Sequence, residues 1–493
     1  MKKNFAMLVR IGLLTVTVLS MLLATVACGN EKPEMFSTEE VVGDYEEEND
    51  SLITTDNATK TQEDTTAPIK KNKKPKDNKS TSSTSSTSTS TKKSNYNPYS
   101  DIASKKDGKS ITIMLWWKPS KTEEKVMKDF KSKYNIDYKV VTTTHELYQT
   151  RLTAMVASNK DVPDICAMDH ESFPIPIIKN QVQMLSSDIF DLKNDDAYDI
   201  SQMDLFKWKG KYYGIQLKGN MTYQRGCVYF NETLFKERGI TNPYDLWKKG
   251  QWNWDTFKNC AKKMTFSNGG KTTYGITSDN TWITYLMAST KTDFVKNTGK
   301  EIKNNLSDKN IKKTLSLVSD LKLGGYWNPQ EGGTKALVNR ETAMLLEGSW
   351  LVEANSASNS LEPINGKWGV VPIPSPKGQT SVQAITPTVW CIVSGAKSPK
   401  SASYFLRYWL DSDNFNMKNQ IPNSTAREVF NAMNENPNRY GIISHGITTY
   451  VDSNNFWQLL AISEQPKNDI PVSIQEMNPM LNGILAQIKS DSK

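Results

Sequence analysis

Hydrophobic and polar positions follow a pattern typical of an α/β protein from about residue 109 onward. Short apolar runs at 111–115, 136–142 and 164–166 predict three strands. Between them, apolar residues recur every three or four positions, which predicts two amphipathic helices. The resulting order, β-α-β-α-β, favours a parallel sheet with helices on its faces.

The residues that follow these predicted strands are candidates for a ligand site. In open sheets of this kind, ligands bind beyond the carboxyl ends of the strands. Trp116 and Trp117 follow the first strand, and the segment from Met168 to Glu171 follows the third. In the first helix, Thr122 is a candidate N-cap.

The stretch from Tyr229 to Met264 predicts a second structural region. Its apolar start predicts a strand that breaks at Asn231, followed by a brief helix ending at Gly239. After a turn, an amphipathic helix begins at Asn253. Later patterns predict helices at 308–323 and 401–410, strands at 343–346, 368–374 and 388–393, and mainly helix beyond residue 411.

The amino-terminal part differs from the rest in composition. Lys2, Lys3 and an apolar run at 11–26 predict an export signal, since the run is shorter than the about 20 residues of a spanning helix. The residues around Cys28 resemble a bacterial lipoprotein signal, which predicts a signal peptide at 1–27 and a lipid on Cys28. Plain secretion is the alternative. Residues 28–106 lack apolar periodicity, which predicts a disordered tether between a Gram-positive cell membrane and the folded part.

Charge and cysteine usage exclude several classes of function. The net charge of +8 is spread over 493 residues without an arginine-rich stripe, which argues against a nucleic-acid partner. The other cysteines, Cys166, Cys227, Cys260 and Cys391, are widely separated in apolar surroundings and predict buried free thiols. The chain has only three histidines, so we expect no metal centre, and no cofactor motif occurs.

Several passages resemble type-I extracellular solute-binding proteins of sugar ABC transporters in the order that this family shows. They are the strand that ends at Trp117, AMVASNKDVPDI at 154–165, the turn at 210–214, the 229–264 stretch, AMLLEGSW at 343–350, and WGVVPIPSPKG at 368–378 with the following PTVWCIVSGA. The resemblance implies a two-lobe, periplasmic-binding-protein-like clamshell (type II), in which each lobe is a β-sheet flanked by helices. It also implies a monomer on the extracellular face of the membrane that delivers a carbohydrate to permease subunits.

The resemblance implies that the chain crosses between lobes three times, near 223–228, near 389–394 and around Tyr440. The first lobe would contain 107–225 with about 392–440. The second would contain 226–391 with about 441–493.

The same resemblance carries a set of ligand-binding residues onto this sequence. Sugars need flat aromatic side chains for stacking and polar groups at their edges. The implied residues are Trp117, Asp169, Glu171, Trp282, Tyr285, Trp350 and Trp390. Each has a structural alternative, since a tryptophan can pack in the core and a carboxylate can be solvated. Only one member of the Trp116–Trp117 pair can point to each face.

Two other functions remain open at this point. A cell-surface carbohydrate-active enzyme would turn an oligosaccharide over, and the same clamshell could bind a peptide or another non-sugar solute. No GxSxG, phosphate-loop, HExxH or nicotinamide motif occurs, and the Asp195–Asp196 pair alone does not indicate glycoside hydrolysis. We therefore expect a binding protein without catalytic residues.

Overall fold

The computed structural model describes residues 96–218, 224–330, 332–352, 361, 364, 367–411, 421 and 423–493. The predicted signal peptide, the predicted lipidation site Cys28 and almost all of the predicted tether lie outside these residues. Within them, no helix combines the length and the apolar character that crossing a membrane requires.

Fourteen strands are assigned within the described residues. In chain order, β1 to β14 are Ser110–Leu115, Asp137–Thr142, Ile165–Asp169, Gly214–Ile215, Gln224–Asn231, Phe266–Asn268, Lys271–Thr273, Val295–Asn297, Ile302–Asn304, Met344–Gly348, Trp368–Pro372, Gln383–Thr386, Thr388–Ile392 and Arg439–Gly441.

The same part of the chain forms sixteen α-helices. In chain order, α1 to α16 are Ile102–Lys105, Lys121–Tyr134, His145–Ser158, Ile175–Ile178, Ile200–Met203, Glu232–Glu237, Pro243–Lys248, Trp254–Lys263, Ile283–Ala288, Lys309–Leu323, Gly333–Val338, Pro399–Trp409, Ser424–Glu435, Ser444–Thr448, Asn454–Ala461 and Ile470–Asp491. Short 3-10 turns precede α9 and follow β10.

The first sheet has the strand order β2-β1-β3-β13-β4. The pairs β1–β2 and β1–β3 are parallel, which confirms the predicted β-α-β-α-β unit. The strand β13 then pairs antiparallel with both β3 and β4. A segment from late in the chain therefore occupies an interior position of a sheet that the amino-terminal part begins.

The second sheet is organised around β5, which pairs antiparallel with β10, β11 and β12. The strand β14 joins the edge of this sheet by pairing parallel with β12. Its central strand is buried along most of its length, as its apolar sequence predicted. Two hairpins, β6–β7 and β8–β9, complete the strand pairing.

The structure moves one predicted crossing and reassigns one helix. The predicted passage near 389–394 falls inside and just beyond β13, which pairs with the first sheet, whereas β12 pairs with the second. The chain thus changes sheets at Pro387. The helix α13, which the sequence assigned to the first lobe, packs against β11 of the second sheet. Its apolar face joins Tyr229 and Trp368 in a separate cluster of buried side chains.

Local capping explains where several helices begin. Ser120, and not the predicted Thr122, caps α2: its side chain accepts a hydrogen bond from Glu123 N, and the Glu123 carboxylate accepts one from Ser120 N. The predicted turn at Asn242 starts the additional helix α7, because asparagine caps it and proline occupies its first position.

The four cysteines outside the amino-terminal segment are buried thiols that form no disulfide within the described residues, as predicted. Cys166 and Cys391 lie opposite each other in the β3–β13 pair. Burial raises the pKa of the Cys260 thiol to about 12.

Candidate functional site: an aromatic cavity between two sheets

A cavity of about 340 Å³ lies where elements of the two sheets meet. From the first sheet and the segments beside it come residues at or just after the ends of β1 and β3, the first residue of α3 and the first residue of β13. From the second come residues at the start of β5, at the end of β12 and in the two 3-10 turns. The lining residues are Trp116, His145, Asp169, His170, Glu171, Gln224, Trp282, Trp350, Thr386 and Thr388.

One member of the Trp116–Trp117 pair lines this cavity, and it is Trp116. The indole N–H of Trp117 instead donates a 3.0 Å hydrogen bond to Glu123 Oε1 at the start of α2. The two indoles meet edge to face with centroids 5.1 Å apart. Trp117, the residue that the sequence favoured, is therefore placed behind Trp116.

Trp116 is held in position by aromatic rings on several sides. Tyr148 meets it edge to face at 5.0 Å, and Trp390 stacks parallel to it at 6.4 Å. Trp390 is fully buried and also packs against Trp409 at 4.7 Å. Trp390 is thus part of the support behind the cavity and does not line it.

On the opposite side, Trp282 and Trp350 form an aromatic pair whose ring centroids are 5.0 Å apart. Tyr285 is fully buried and stacks on Trp282 at 5.1 Å, so it too lies behind the lining. The Trp350 ring lies directly on the backbone of Gly348, where an added Cβ would come within 1.7 Å of the ring. A side chain at Gly348 would therefore displace Trp350.

Asp169 and His145 form the polar pair beside Trp116. His145 Nε2 lies 3.0 Å from Asp169 Oδ2, and this hydrogen bond raises the pKa of His145 to about 9. Burial opposes ionisation of Asp169, but hydrogen bonds from His145 and Ser172 hold its pKa below the usual range. The pair is therefore an imidazolium and a carboxylate at neutral pH.

The second lining carboxylate, Glu171, is close to all three histidines of the chain. Its Oε1 lies 3.7 Å from His170 Nε2 and 3.7 Å from His445 Nδ1, and its Oε2 lies 4.0 Å from His145 Nδ1. Burial lowers the pKa of His170 and of His445 to about 4, so both rings are neutral. Burial and the charge of Asp169 raise the pKa of Glu171.

Glu347, at the end of β10, is a further ionisable group beside the aromatic pair. Its carboxylate accepts a hydrogen bond from Gly348 N and one from Trp282. Burial nevertheless raises its pKa to about 8. Glu347 is therefore mostly protonated at neutral pH.

The structure thus brings together four of the seven sequence-predicted residues: Asp169, Glu171, Trp282 and Trp350 line one cavity. Trp117, Tyr285 and Trp390 support its walls. Of the other lining residues, Trp116 and His170 fall in the strand-end segments that the sequence singled out, although the resemblance did not carry them over. His145, Gln224, Thr386 and Thr388 were missed. Strand ends gave a signal for several of them, because Trp116, His170 and Thr386 each lie at or just after the end of a strand.

Comparison with known families identifies the family of this chain. The family described as bacterial extracellular solute-binding protein matches residues 125–438, which is more than half of the chain. The chain belongs to this family. No curated protein sequence matches this solute-binding protein.

Solved structures of similar fold cover about three quarters of the chain. The ABC substrate-binding protein Lmo0181 from Listeria monocytogenes, in complex with cycloalternan, is 18% identical with a TM-score of 0.56, over 76% of this chain and all of that one. The galacto-N-biose-/lacto-N-biose I-binding protein from Bifidobacterium longum, in complex with lacto-N-biose, is 14% identical with a TM-score of 0.57, over 77% of this chain and 98% of that one. The extracellular solute-binding protein from Staphylococcus aureus, in complex with maltose, is 14% identical with a TM-score of 0.56, over 77% of this chain and 98% of that one.

These neighbours share the two-lobe clamshell, which confirms the predicted fold class: an α/β protein with helix-flanked sheets. The family consists of extracellular binding proteins.

Proposed function

We propose that this solute-binding protein captures a sugar or oligosaccharide in the cavity and delivers it to the permease of an ABC importer. The observation that carries the proposal is the placement of Trp116, Trp282 and Trp350 around one cavity whose edges carry carboxylate, imidazole, amide and hydroxyl groups. Flat rings stack on the apolar faces of a sugar, and the polar groups match its hydroxyls. Crystallised neighbours that hold cycloalternan, lacto-N-biose and maltose support the same ligand class.

A thermal-shift screen of the full-length protein against a panel of oligosaccharides tests this function. A ligand that binds only the folded state stabilises it by about 2.7 kcal/mol at 100 times its dissociation constant. We expect a shift with one sugar class and recovery of that sugar intact. If no oligosaccharide raises the thermal midpoint and a peptide does, the hypothesis of a carbohydrate ligand is rejected.

We propose that the protein has no catalytic role. The Asp195 carboxylate, one of a pair that a glycosidase hypothesis would use, is bound by Arg407 on both of its oxygens. It is 5% exposed and therefore not available to a substrate. Chromatography of the recovered oligosaccharide provides the test, since a cleaved product would support the carbohydrate-active enzyme.

We propose that Cys28 carries the lipid that anchors the protein to the outer face of the cell membrane. The extracellular character of the family supports an exported protein, and the residues before Cys28 suggest the processing site. Intact-mass measurement should give a chain that starts at a diacylated Cys28, and Cys28→Ala should release the protein into the medium. An unmodified cysteine in the mature protein would exclude the anchor.

We also propose that the two sheets belong to two lobes that close on the ligand in a monomer. The chain changes sheets between β4 and β5 and at Pro387 between β12 and β13. Later, α12 packs against strands of the first sheet and α13 against β11 of the second. Ligand that touches both lobes favours the closed form by the contacts that exist only there.

A further inference from the structure

The three histidines of the chain, which are far apart in sequence, converge beside Glu171. His170 and Glu171 follow β3 in the first sheet, whereas His445 lies in α14, which packs against α15 and α16. Gly446 N donates a 2.9 Å hydrogen bond to His170 O, so the loop and the helix meet backbone to backbone. An added Cβ at Gly446 would come within 2.4 Å of Glu171 O, which shows how closely the segments approach.

The distances in this cluster do not fit direct hydrogen bonds. Glu171 Oε1 is 3.7 Å from both His170 Nε2 and His445 Nδ1, and a hydrogen bond between such atoms needs about 2.7–3.2 Å. Two atoms that bind one tetrahedral zinc ion at about 2.0–2.2 Å lie about 3.3–3.6 Å apart. All three ligand atoms lie within 4.8 Å of one another. A small side-chain adjustment therefore brings them into a coordination sphere.

The two ring nitrogens that point to Glu171 are buried and have no hydrogen-bond partner among the described residues. His170 is only 8% exposed, and His445 stacks on Phe456 at 4.3 Å, so neither ring turns readily toward solvent. A buried polar atom without a partner has lost its hydrogen bonds to water and has none in exchange, which destabilises the folded state. An ion bound between these nitrogens and the carboxylate would satisfy both.

We propose that His170 Nε2, Glu171 and His445 Nδ1 bind a divalent transition-metal ion, with zinc as the natural occupant. Two imidazoles and one carboxylate are an established ligand set for zinc, whereas magnesium and calcium take oxygen ligands. The initial expectation of no metal centre rested on the small number of histidines. The fold removes that objection by bringing two of them to one carboxylate.

The third histidine, His145, has a different role. Its Nε2 already bonds to Asp169 Oδ2, and its Nδ1 is 4.0 Å from the other oxygen of Glu171. Three protein ligands leave the fourth position of a zinc ion to water or to an oxygen of a bound solute. The site adjoins the proposed sugar cavity, since His170 and Glu171 line it, but the metal proposal does not depend on a sugar.

Zinc titration of the full-length protein tests the proposal. The protein is purified in mild detergent without a histidine tag, stripped with a chelator and titrated with zinc chloride by calorimetry, in the absence of any sugar. We expect one zinc per chain and a higher thermal midpoint with zinc than with magnesium. Metal content after dialysis gives the stoichiometry independently.

Two substitutions remove ligands while keeping side-chain shape. Glu171→Gln removes the charge, and His445→Phe keeps the ring that stacks on Phe456. Loss of a residue that only supports a metal ligand lowers metal affinity by about 10–100-fold. Loss of a ligand itself should therefore lower zinc affinity by at least as much in each variant. The matched control is Glu146→Gln, the same change at an exposed position of α3, which should bind zinc as the unchanged protein does.

The result that overturns the site is absence of stoichiometric zinc, or equal zinc affinity in Glu171→Gln, His445→Phe and the control. The thermal midpoint of each metal-free variant separates a lost ligand from a misfolded chain. If His445→Phe does not fold, Glu171→Gln alone decides. If no oligosaccharide raises the thermal midpoint but zinc still binds, the proposed function is rejected and the metal site is retained.

Discussion

At the scale of single residues, Trp350 is the side chain on which sugar affinity should depend most. It lies against Gly348 and Trp282, which fix its orientation before any ligand arrives. Removing the ring by Trp350→Ala should cost about 1.5–3 kcal/mol of binding free energy, or about 10- to 100-fold in affinity. Calorimetric titration with the sugar found in the panel measures this loss.

Trp457→Ala is the matched control, because Trp457 is 42% exposed on α15 and does not line the cavity. Its sugar affinity should equal that of the unchanged protein. Equal affinities for Trp350→Ala and Trp457→Ala would remove the aromatic cavity as the binding site.

Glu347 makes stability depend on pH. Its pKa is about 8 in the folded protein and 4.5 when unperturbed, so the folded state keeps a proton that the unfolded state releases between these values. The free energy of unfolding should therefore fall as pH rises from 4.5 to 8, by up to about 1.4 kcal/mol per pH unit from this group. Glu347→Gln should remove that slope.

Urea unfolding of both proteins at several pH values provides the measurement. The stability of the unchanged protein relative to Glu347→Gln should decrease as pH rises. Glu341→Gln, at an exposed glutamate just before β10, should follow the unchanged protein. A difference that stays constant from pH 5 to 8 would show that Glu347 is ionised when folded.

At the scale of elements, a buried ion pair ties α12 to the segment before α5. Arg407 Nε is 2.7 Å from Asp195 Oδ2, its second nitrogen is 3.2 Å from Oδ1, and its third bonds to Asp411. Asp195→Asn leaves a buried guanidinium with less compensating charge, which should cost about 3–5 kcal/mol of unfolding free energy.

Chemical denaturation measures this cost. The same substitution at Asp137, whose ion pair with Lys131 is about half exposed, should leave the midpoint unchanged. If Asp195→Asn is as stable as Asp137→Asn, the pair does not hold α12 in place.

Elements with strong local signals were predictable from the sequence. The strands β1 and β3 and the helix α10 follow from local apolar patterns, because their apolar residues are buried. The strand β2 follows from its apolar run as well, although its residues stay partly or fully exposed. The helix α7 was missed because an asparagine followed by proline suits a turn and a helix start equally well. The packing of α13 on β11 depends on contacts between distant segments, which no local pattern encodes.

The same division applies to the site. The sequence predicted that aromatic residues at strand ends line the cavity, but it did not predict which of Trp116 and Trp117 does so. That choice depends on the Trp117 N–H reaching Glu123, which α2 places there. The convergence of His170 and His445 was not predictable for a similar reason: the two residues are far apart in the sequence, and their segments meet only in the folded structure.

At the scale of the whole molecule, ligand should make the protein more compact. Small-angle X-ray scattering of the full-length protein should show a smaller radius of gyration with the bound sugar than without it, and the forward scattering should correspond to a monomer in both. Trp350→Ala at the same sugar concentration should stay at the larger value. An unchanged radius for the saturated protein would contradict closure of the proposed lobes.

The position of β13 has a consequence for how the chain reaches its native state. This strand lies between β3 and β4, yet it is synthesised after the entire second sheet except β14. Long-range pairing of this kind slows folding, because a large loop must close before its contacts form. The amino-terminal strands cannot complete their sheet until the ribosome has passed Ile392, so most of the chain emerges before the first sheet can assemble. A chain that folds late in this way remains unfolded for longer, and an unfolded chain can pass through a narrow protein-conducting pore.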